Sequence, residues 1–240
     1  MIKYNTLILL FALLFTFSNK SVFSQDKNSD YRLGMVQLTL GNNANAIAYF
    51  DKAINADKNN VEAFYNRGVC HERLGNNKKA IADFTIVISK KKDMHQAYNN
   101  RGLIYAKDGN YHQAVADFTN SIKYKNDYPF TYLYRSNVYI ELKNYTKALD
   151  DANTVLSYLP NYVIAHKNAA ICAVKLNKNQ IALKHYNFLI SQSPKNADYY
   201  LARGKLNAKM GNNDSACKDF KKSVALGSDE AKLDMQKVCK

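Results

Sequence analysis

The chain has 240 residues and a formal net charge of +14, and 47% of its residues are hydrophobic and 12% aromatic. This composition excludes a disordered or collagen-like chain, because it contains enough apolar side chain for a packed core. Only 3 prolines and 9 glycines are present. That is too few for the many turns of a β-sandwich or barrel and is typical of long helices joined by short turns.

The first predicted element is an N-terminal targeting segment. Lys3 precedes an uncharged apolar run over residues 6–17, and small serines follow, the last of them at Ser24. A run of this length is too short to span a bilayer, which needs about 20 residues. We therefore expect residues 1–24 to be a signal peptide that is cleaved after Ser24, so that the protein is exported to a periplasm or the extracellular space. The alternative is an uncleaved membrane anchor, which the polar residues directly after the run disfavour. We expect no transmembrane segment in the mature chain.

An internal repeat covers nearly all of the remaining chain. Alanine recurs six times at a spacing of 34 residues, at Ala46, Ala80, Ala114, Ala148, Ala182 and Ala216. A small residue stands twelve positions before each alanine, at Gly34, Gly68, Gly102, Ser136, Ala170 and Gly204. Four positions after the alanines come Phe50, Phe84, Phe118, Ala152, Tyr186 and Phe220. A register kept through six units predicts a repeat architecture.

This pattern, with Pro160 and Pro194 closing the fourth and fifth units, resembles the tetratricopeptide repeat. The resemblance implies an all-α fold, a right-handed α-solenoid of six 34-residue helical hairpins plus a C-terminal capping helix. The solenoid would form one domain over residues 25–240. Its repeats would cover residues 27–60, 61–94, 95–128, 129–162, 163–196 and 197–228, with the capping helix over 229–239.

The apolar spacing supports helical hairpins independently of the resemblance. Phe64, Gly68 and Leu74 follow helical spacing on one segment of the second unit, and Gly75 begins the break before the next segment. A single hairpin cannot bury its own apolar face, so the units must stack. The loops within the hairpins should centre at Gly41, Gly75, Gly109, Lys143, Asn177 and Gly211.

Arginine and aspartate recur together, with the aspartate sixteen residues after the arginine. The pairs are Arg67 and Asp83, Arg101 and Asp117, Arg135 and Asp151, and Arg203 and Asp219. The two units that have Leu33 and Ala169 in place of the arginine also lack the aspartate. Pairing each arginine with the preceding unit would leave two of them unmatched. We therefore predict structural ion pairs between the two helices of one hairpin and assign these residues no part in ligand binding.

The four cysteines divide into two pairs. Cys70 and Cys172 share one register of the first helices, where other units have aliphatic residues, so we expect buried thiols too far apart to be bridged. Cys217 lies in the last unit and Cys239 at the end of the capping helix. An exported protein favours a disulfide between them. The alternative is a buried Cys217 beside a frayed terminal thiol.

No motif of an enzyme occurs in the sequence. It has no nucleophile elbow, phosphate-binding loop, dinucleotide fingerprint or zinc motif. The five histidines fall in different registers, and only His166 and His185 lie in one unit, where they could face each other. Two imidazoles without a carboxylate or thiol make a weak metal site. We therefore expect no enzymatic activity, no cofactor and no metal.

The resemblance also implies a binding groove along the first helices. We count the residue seven positions before the small residue as register 1, and registers 2, 5, 6, 9, 12 and 13 face the groove in this family. Register 6 holds Asn66, Asn100, Tyr134 and Asn168, register 9 adds Asn137, and register 13 has Arg73, Lys107, Lys175 and Lys209. The asparagines resemble a ladder that binds peptide main chain in this family, since a side-chain amide both donates and accepts hydrogen bonds. The cations favour an acidic peptide.

Two classes of function remain open at this point. The first is a non-catalytic scaffold that binds an extended peptide or partner protein in the groove. The second is an electrostatic adaptor that binds anionic envelope or surface polymers through the basic surface. Nucleic acid is not expected, because export separates the protein from it. The carboxylate clamp of co-chaperone repeats is not supported, because its basic registers hold Leu133, Asp198 and Ala202. Asparagine is also abundant throughout the chain, which is the alternative explanation of the ladder.

Overall fold

The computed structural model describes residues 28–239, and the predicted signal peptide lies outside them. Within this range the chain forms thirteen α-helices and no strand. The predicted all-α fold of six hairpins and a capping helix is confirmed. The chain divides into two compact units, of which the first ends at Lys92 and the second begins at Asp93.

The first unit contains hairpins one and two. Its helices are α1 (Ser29–Thr39), α2 (Asn43–Ala56), α3 (Val61–Arg73) and α4 (Asn77–Lys90). The two helices of each hairpin pack on each other, and α3 also packs against α2 and α1. The second hairpin therefore covers the apolar face that the first cannot bury alone.

The second unit contains hairpins three to six and the capping helix. Its helices are α5 (His95–Lys107), α6 (Tyr111–Tyr124), α7 (Pro129–Glu141), α8 (Tyr145–Tyr158), α9 (Val163–Lys175), α10 (Asn179–Gln192), α11 (Ala197–Lys209), α12 (Asn213–Ala225) and α13 (Asp229–Val238). Each odd-numbered helix from α5 to α11 is the first helix of a hairpin, and it packs on the second helix that follows it. Consecutive hairpins also pack on each other within this unit.

Every first helix is followed by a residue with left-handed backbone, and these residues stand at the six predicted loop positions. The φ angles are 79° at Gly41, 75° at Gly75, 76° at Gly109, 57° at Lys143, 58° at Asn177 and 79° at Gly211. In the fourth hairpin, for example, the amide of Asn144 donates to the carbonyl of Tyr139 at 2.8 Å. This bond closes the end of the helix and reverses the chain within a few residues.

A small residue and an aromatic ring meet where the two helices of a hairpin cross. A Cβ atom at Gly204 would come within 2.7 Å of the Phe220 ring, and one at Gly34 within 2.6 Å of the Phe50 ring. Both phenylalanines are buried. Hairpin four has Ser136 and Ala152 at these registers, so a larger first residue accompanies a smaller second one. In hairpin four, therefore, the loss of the ring leaves room for the larger first residue.

The capping helix α13 closes the last hairpin. Its buried residue Ala231 packs with Leu201, Ala216 and Phe220. Ser228 is the N-cap of this helix, since its hydroxyl accepts a hydrogen bond from the Ala231 amide at 3.3 Å. None of the helices in residues 28–239 has the length and apolar character needed to cross a membrane.

Candidate functional site

The four predicted arginine–aspartate pairs are present as bidentate contacts. In hairpin six, Arg203 Nε lies 2.9 Å from one carboxylate oxygen of Asp219 and Nη2 lies 2.6 Å from the other. The corresponding Nη2 to oxygen distances are 2.6 Å for Arg67 and Asp83, 2.8 Å for Arg101 and Asp117, and 2.8 Å for Arg135 and Asp151. The aspartates are buried. Each pair fixes the two helices of one hairpin, and a buried carboxylate held in this way is not available to a ligand.

Three of these arginines make a third contact that was not predicted from the sequence. Arg203 Nη1 donates to Asn187 Oδ1 at 2.7 Å, and Arg135 Nη1 donates to Thr119 Oγ1 at 3.0 Å. In the first unit, Arg67 Nη1 donates to Asp51 at 2.6 Å. Each acceptor lies sixteen residues before the arginine, on the second helix of the preceding hairpin. The sequence does indicate this contact, because a polar residue recurs at this register. The arginine therefore holds consecutive hairpins together as well as the helices of its own.

Hairpin five has a different arrangement at the same place. Ala169 stands where the arginine would be, and it packs in an apolar cluster that includes Leu149 and Ala152 of hairpin four. His185 replaces the aspartate, and its Nδ1 lies 2.8 Å from Nδ1 of His166. The two histidines thus face each other, as their common unit suggested, and both are buried.

The hydrogen bonds of this histidine pair have one consistent direction. The carbonyl of Pro160 only accepts, so His166 Nε2 carries a proton and donates to it at 2.9 Å. In the tautomer with this proton alone on His166, its Nδ1 accepts and His185 Nδ1 donates. Burial lowers the pKa of His185 to about 4, and the neighbouring His166 contributes. Within residues 28–239 no cluster of three or more His, Cys, Asp or Glu residues could hold a metal ion.

The candidate binding surface of the second unit is formed by the groove registers of its first helices, which we call the first-helix face. A hydrogen bond between two asparagine side chains connects the helices α7 and α9 there. Asn168 Nδ2 donates to Asn137 Oδ1 at 2.6 Å and also lies 3.3 Å from the Ser136 hydroxyl. Asn168 is 5% exposed, whereas Asn137 is exposed. A ligand on this face would therefore meet the amide group of Asn137, which Asn168 holds in place.

The other predicted groove residues are more accessible. Tyr134 and Asn100 are half-buried in the second unit, and in the first unit Asn66 is half-buried and donates to the Tyr31 hydroxyl at 3.1 Å. The cations of register 13 are exposed, namely Arg73, Lys107, Lys175 and Lys209. Among them, Lys209 donates to the side-chain oxygen of Asn177. Lys107 and Lys175 make no ion pair with any described residue.

An aromatic cluster at the start of α7 and α9 escaped the sequence analysis. The Phe130 ring lies 5.5 Å from the ring of Tyr128 and 5.8 Å from that of Tyr162, both measured between centroids, and both contacts are edge-on. Burial raises the pKa of the Tyr134 hydroxyl, and the hydroxyls of Tyr128 and Tyr162 raise it further. The available signal was aromatic residues at registers that have no aromatic residue in hairpins two, three and six.

The cysteines are arranged as the sequence suggested. Cys217 and Cys239 form a disulfide with their Cα atoms 5.5 Å apart, which ties the end of α13 to α12. Cys70 and Cys172 are buried free thiols. Burial raises the pKa of each thiol to about 11, so neither is a reactive thiolate at neutral pH.

Family models match the chain over most of its length. One model of the tetratricopeptide repeat matches residues 31–95 and 167–231. A second model of this repeat matches residues 95–128. No curated protein matches the chain.

Solved structures of low sequence identity have the same fold. YrrB, described as a tetratricopeptide repeat protein with an unusual peptide-binding site, is 18% identical with a TM-score of 0.73, covering 78% of this chain and 97% of its own. PilF from Pseudomonas aeruginosa is 18% identical with a TM-score of 0.63, covering 88% and 95%. A tetratricopeptide repeat protein from Parabacteroides merdae is 22% identical with a TM-score of 0.57, covering 93% and 88%. With the family matches and the hairpin geometry, these likenesses lead to one conclusion: the chain belongs to the tetratricopeptide repeat family.

Proposed function

We propose that the protein is a non-catalytic scaffold that binds an extended acidic segment of a partner protein along the first-helix face of its second unit. The fold is that of a protein-interaction scaffold. The observation that carries the finer proposal is the pair formed by Asn168 and Asn137. The buried amide of Asn168 donates to the side-chain oxygen of the exposed Asn137. This leaves the NH2 group of Asn137 directed to donate to a peptide carbonyl.

The charge of this face supports an acidic ligand. Lys107 and Lys175 are exposed at the ends of α5 and α9, and neither is neutralised by a carboxylate of the described chain. Lys205 on α11 differs, because it pairs with Glu230 and Asp234 of the capping helix. Unpaired cations beside a main-chain hydrogen-bonding group attract a segment that contains aspartate or glutamate and orient it on approach.

Export of the protein is part of the proposal. The apolar run near the N-terminus is typical of a signal peptide. The disulfide between Cys217 and Cys239 supports an oxidising compartment, because such bonds are rare in the cytosol. We therefore place the protein in a periplasm or outside the cell.

A display library of random 12-residue peptides, selected on the purified protein, tests this function. We expect enriched sequences rich in aspartate and glutamate. Replacing Asn137 by Ala should weaken binding of a selected peptide by about tenfold, or 1.4 kcal/mol. Asn168→Ala should have a similar effect because Asn137 then loses its support. The triple replacement of Asn66, Asn100 and Asn168 by Ala should leave the helical circular dichroism unchanged and weaken binding at least as much.

The matched control is Asn153→Ala, which removes an exposed asparagine from the second helix of hairpin four. It should leave binding within about twofold of the original. If no peptide is enriched, while polyglutamate and a teichoic-acid-type polyphosphate bind with equal affinity to all variants, the electrostatic adaptor replaces this proposal.

A further inference from the structure

The start of α7 and α9 presents an aromatic surface that the packing of the hairpins leaves partly exposed. It comprises Tyr128, Phe130, Tyr134, Tyr162 and Ile164, which we call the aromatic patch. Tyr128 is 38% exposed and Ile164 is 47% exposed, and the rings of Tyr128, Phe130 and Tyr162 lie edge-on at 5.5 and 5.8 Å. Large apolar side chains left half-exposed side by side are typical of binding surfaces.

Three other hairpins show that these positions do not need aromatic residues. The three positions occupied by Tyr128, Phe130 and Tyr134 in hairpin four have no aromatic residue in hairpins two, three and six. They hold Asn60, Glu62 and Asn66 in hairpin two, Met94, Gln96 and Asn100 in hairpin three, and Asn196, Asp198 and Ala202 in hairpin six. Those hairpins form the same helices without aromatic residues at these registers. Phe130 and Tyr162 pack against the buried cluster of Leu133, Val155 and Ala165, but formation of a hairpin does not require rings at these registers.

The patch is continuous with the face that carries Asn137. Tyr134 belongs to both, since it lies one turn after Phe130 and one turn before Asn137 on α7. On α9, Ile164 is followed one turn later by Lys167, which is exposed, and by Asn168. An extended chain whose carbonyl accepts a hydrogen bond from the NH2 group of Asn137 would place a neighbouring side chain on the aromatic patch and the next one beside Lys167. This charge and shape fit a bulky apolar residue with an adjacent carboxylate.

We infer that the aromatic patch is an anchor subsite for one bulky apolar side chain of the bound segment, flanked by aspartate or glutamate. The inference rests on the proposed function and names what the ligand must contain. Tyrosine and phenylalanine supply large contact area with few rotatable bonds, so they lose little entropy when the anchor binds.

Two single replacements test the subsite with peptides from the same selected library. Phe130→Gln introduces the residue type of hairpin three, and Ile164→Gln removes an exposed side chain whose loss should not disturb folding. Each should weaken binding of a selected peptide by about tenfold or more. The matched control is Ile181→Gln on α10, since Ile181 is 41% exposed in the same hairpin as Ile164 but on the second helix. It should change binding by less than about twofold.

The peptides provide the second half of the test. We expect an enriched Leu, Ile, Phe, Tyr or Trp within three positions of an aspartate or glutamate, and we expect its replacement by Ala to reduce the effect of Ile164→Gln to less than twofold. Selected peptides that bind Phe130→Gln and Ile164→Gln as tightly as the original would overturn the subsite while leaving the proposed function intact. Failure to enrich any peptide would overturn both. Quenching of tyrosine fluorescence by chitooligosaccharides, lost in Ile164→Gln, would assign the patch to glycan instead and contradict the inference.

Discussion

Hairpins five and six have the same helical backbone but hold their neighbours by different interactions. In hairpin six, Arg203 binds Asp219 within the hairpin and Asn187 on the preceding one. In hairpin five, Ala169 packs among apolar side chains and His185 bonds to His166. Polar groups fix the geometry in one case, and apolar packing with a hydrogen-bonded histidine pair does so in the other.

The difference shows that the arginine and the aspartate of this site are replaced together. Removing the arginine alone would leave a buried carboxylate without its partner, which costs several kcal/mol. In hairpin five the carboxylate is replaced as well, and a histidine with a lowered pKa remains. Hairpins five and six should therefore differ in their response to single replacements, to reduction of the disulfide and to pH. Four predictions follow, in order of expected size.

The largest effect should come from Arg203→Ala, because it leaves the buried carboxylate of Asp219 without its bidentate partner. We expect the apparent free energy of unfolding in urea to fall by about 3 to 4 kcal/mol. Lys205→Ala on the same helix is the control, since its ion pairs are on the surface, and it should cost less than about 1 kcal/mol. Equal losses in the two variants would contradict a structural role of the arginine site.

The next effect concerns the disulfide that holds the capping helix to hairpin six. The bonded cysteines are 22 residues apart, for which loop closure gives roughly 3 kcal/mol, and fraying of a terminal helix should reduce this to about 2 kcal/mol. We expect the melting temperature to fall when Cys217 and Cys239 are both replaced by Ser. Thiol titration of the unfolded, unreduced protein should find two free cysteines. A count of four would show that the bond is absent.

The third effect is a pH dependence specific to hairpin five. Because the pKa of His185 falls from 6.5 in an unfolded chain to about 4 in the folded one, the unfolded state binds more protons between these values. Stability should therefore decrease as the pH falls through this window, by about 1 to 2 kcal/mol from pH 7 to pH 5. The double variant Ala169→Arg, His185→Asp restores the residue types of hairpin six. Its stability should change less over the same range, and an identical slope would exclude His185 as the source.

The smallest effect separates the two kinds of junction between hairpins. Thr119→Ala removes the acceptor of one hydrogen bond from Arg135, which should cost about 0.5 to 1 kcal/mol. Asn153 has the same register on the hairpin before Ala169, where no arginine follows, so Asn153→Ala should change the unfolding free energy by less than about 0.5 kcal/mol. A larger loss at Asn153 than at Thr119 would show that the third contact does not stabilise the junction.

The sequence predicts the features that depend on spacing along one hairpin. The 34-residue period indicates the helices, the left-handed loop positions and the pairing of Arg203 with Asp219, because these depend on contacts within one unit. It does not predict the contact of Arg203 with Asn187 or the burial of Asn168. Those depend on how far one hairpin is shifted along the next, which a repeat pattern does not specify. The aromatic patch was missed because its residues fall between the registers that define the repeat.

The central claim is that a peptide lies along the first helices of the second unit, and hydrogen–deuterium exchange with a selected peptide tests it most directly. We expect slower exchange over residues 128–141 and 162–175, which include the aromatic patch, Asn137 and Asn168. Exchange over the second helices α8 (Tyr145–Tyr158) and α10 (Asn179–Gln192) should be unchanged. Protection confined to the second helices, with the first helices unaffected, would contradict the account.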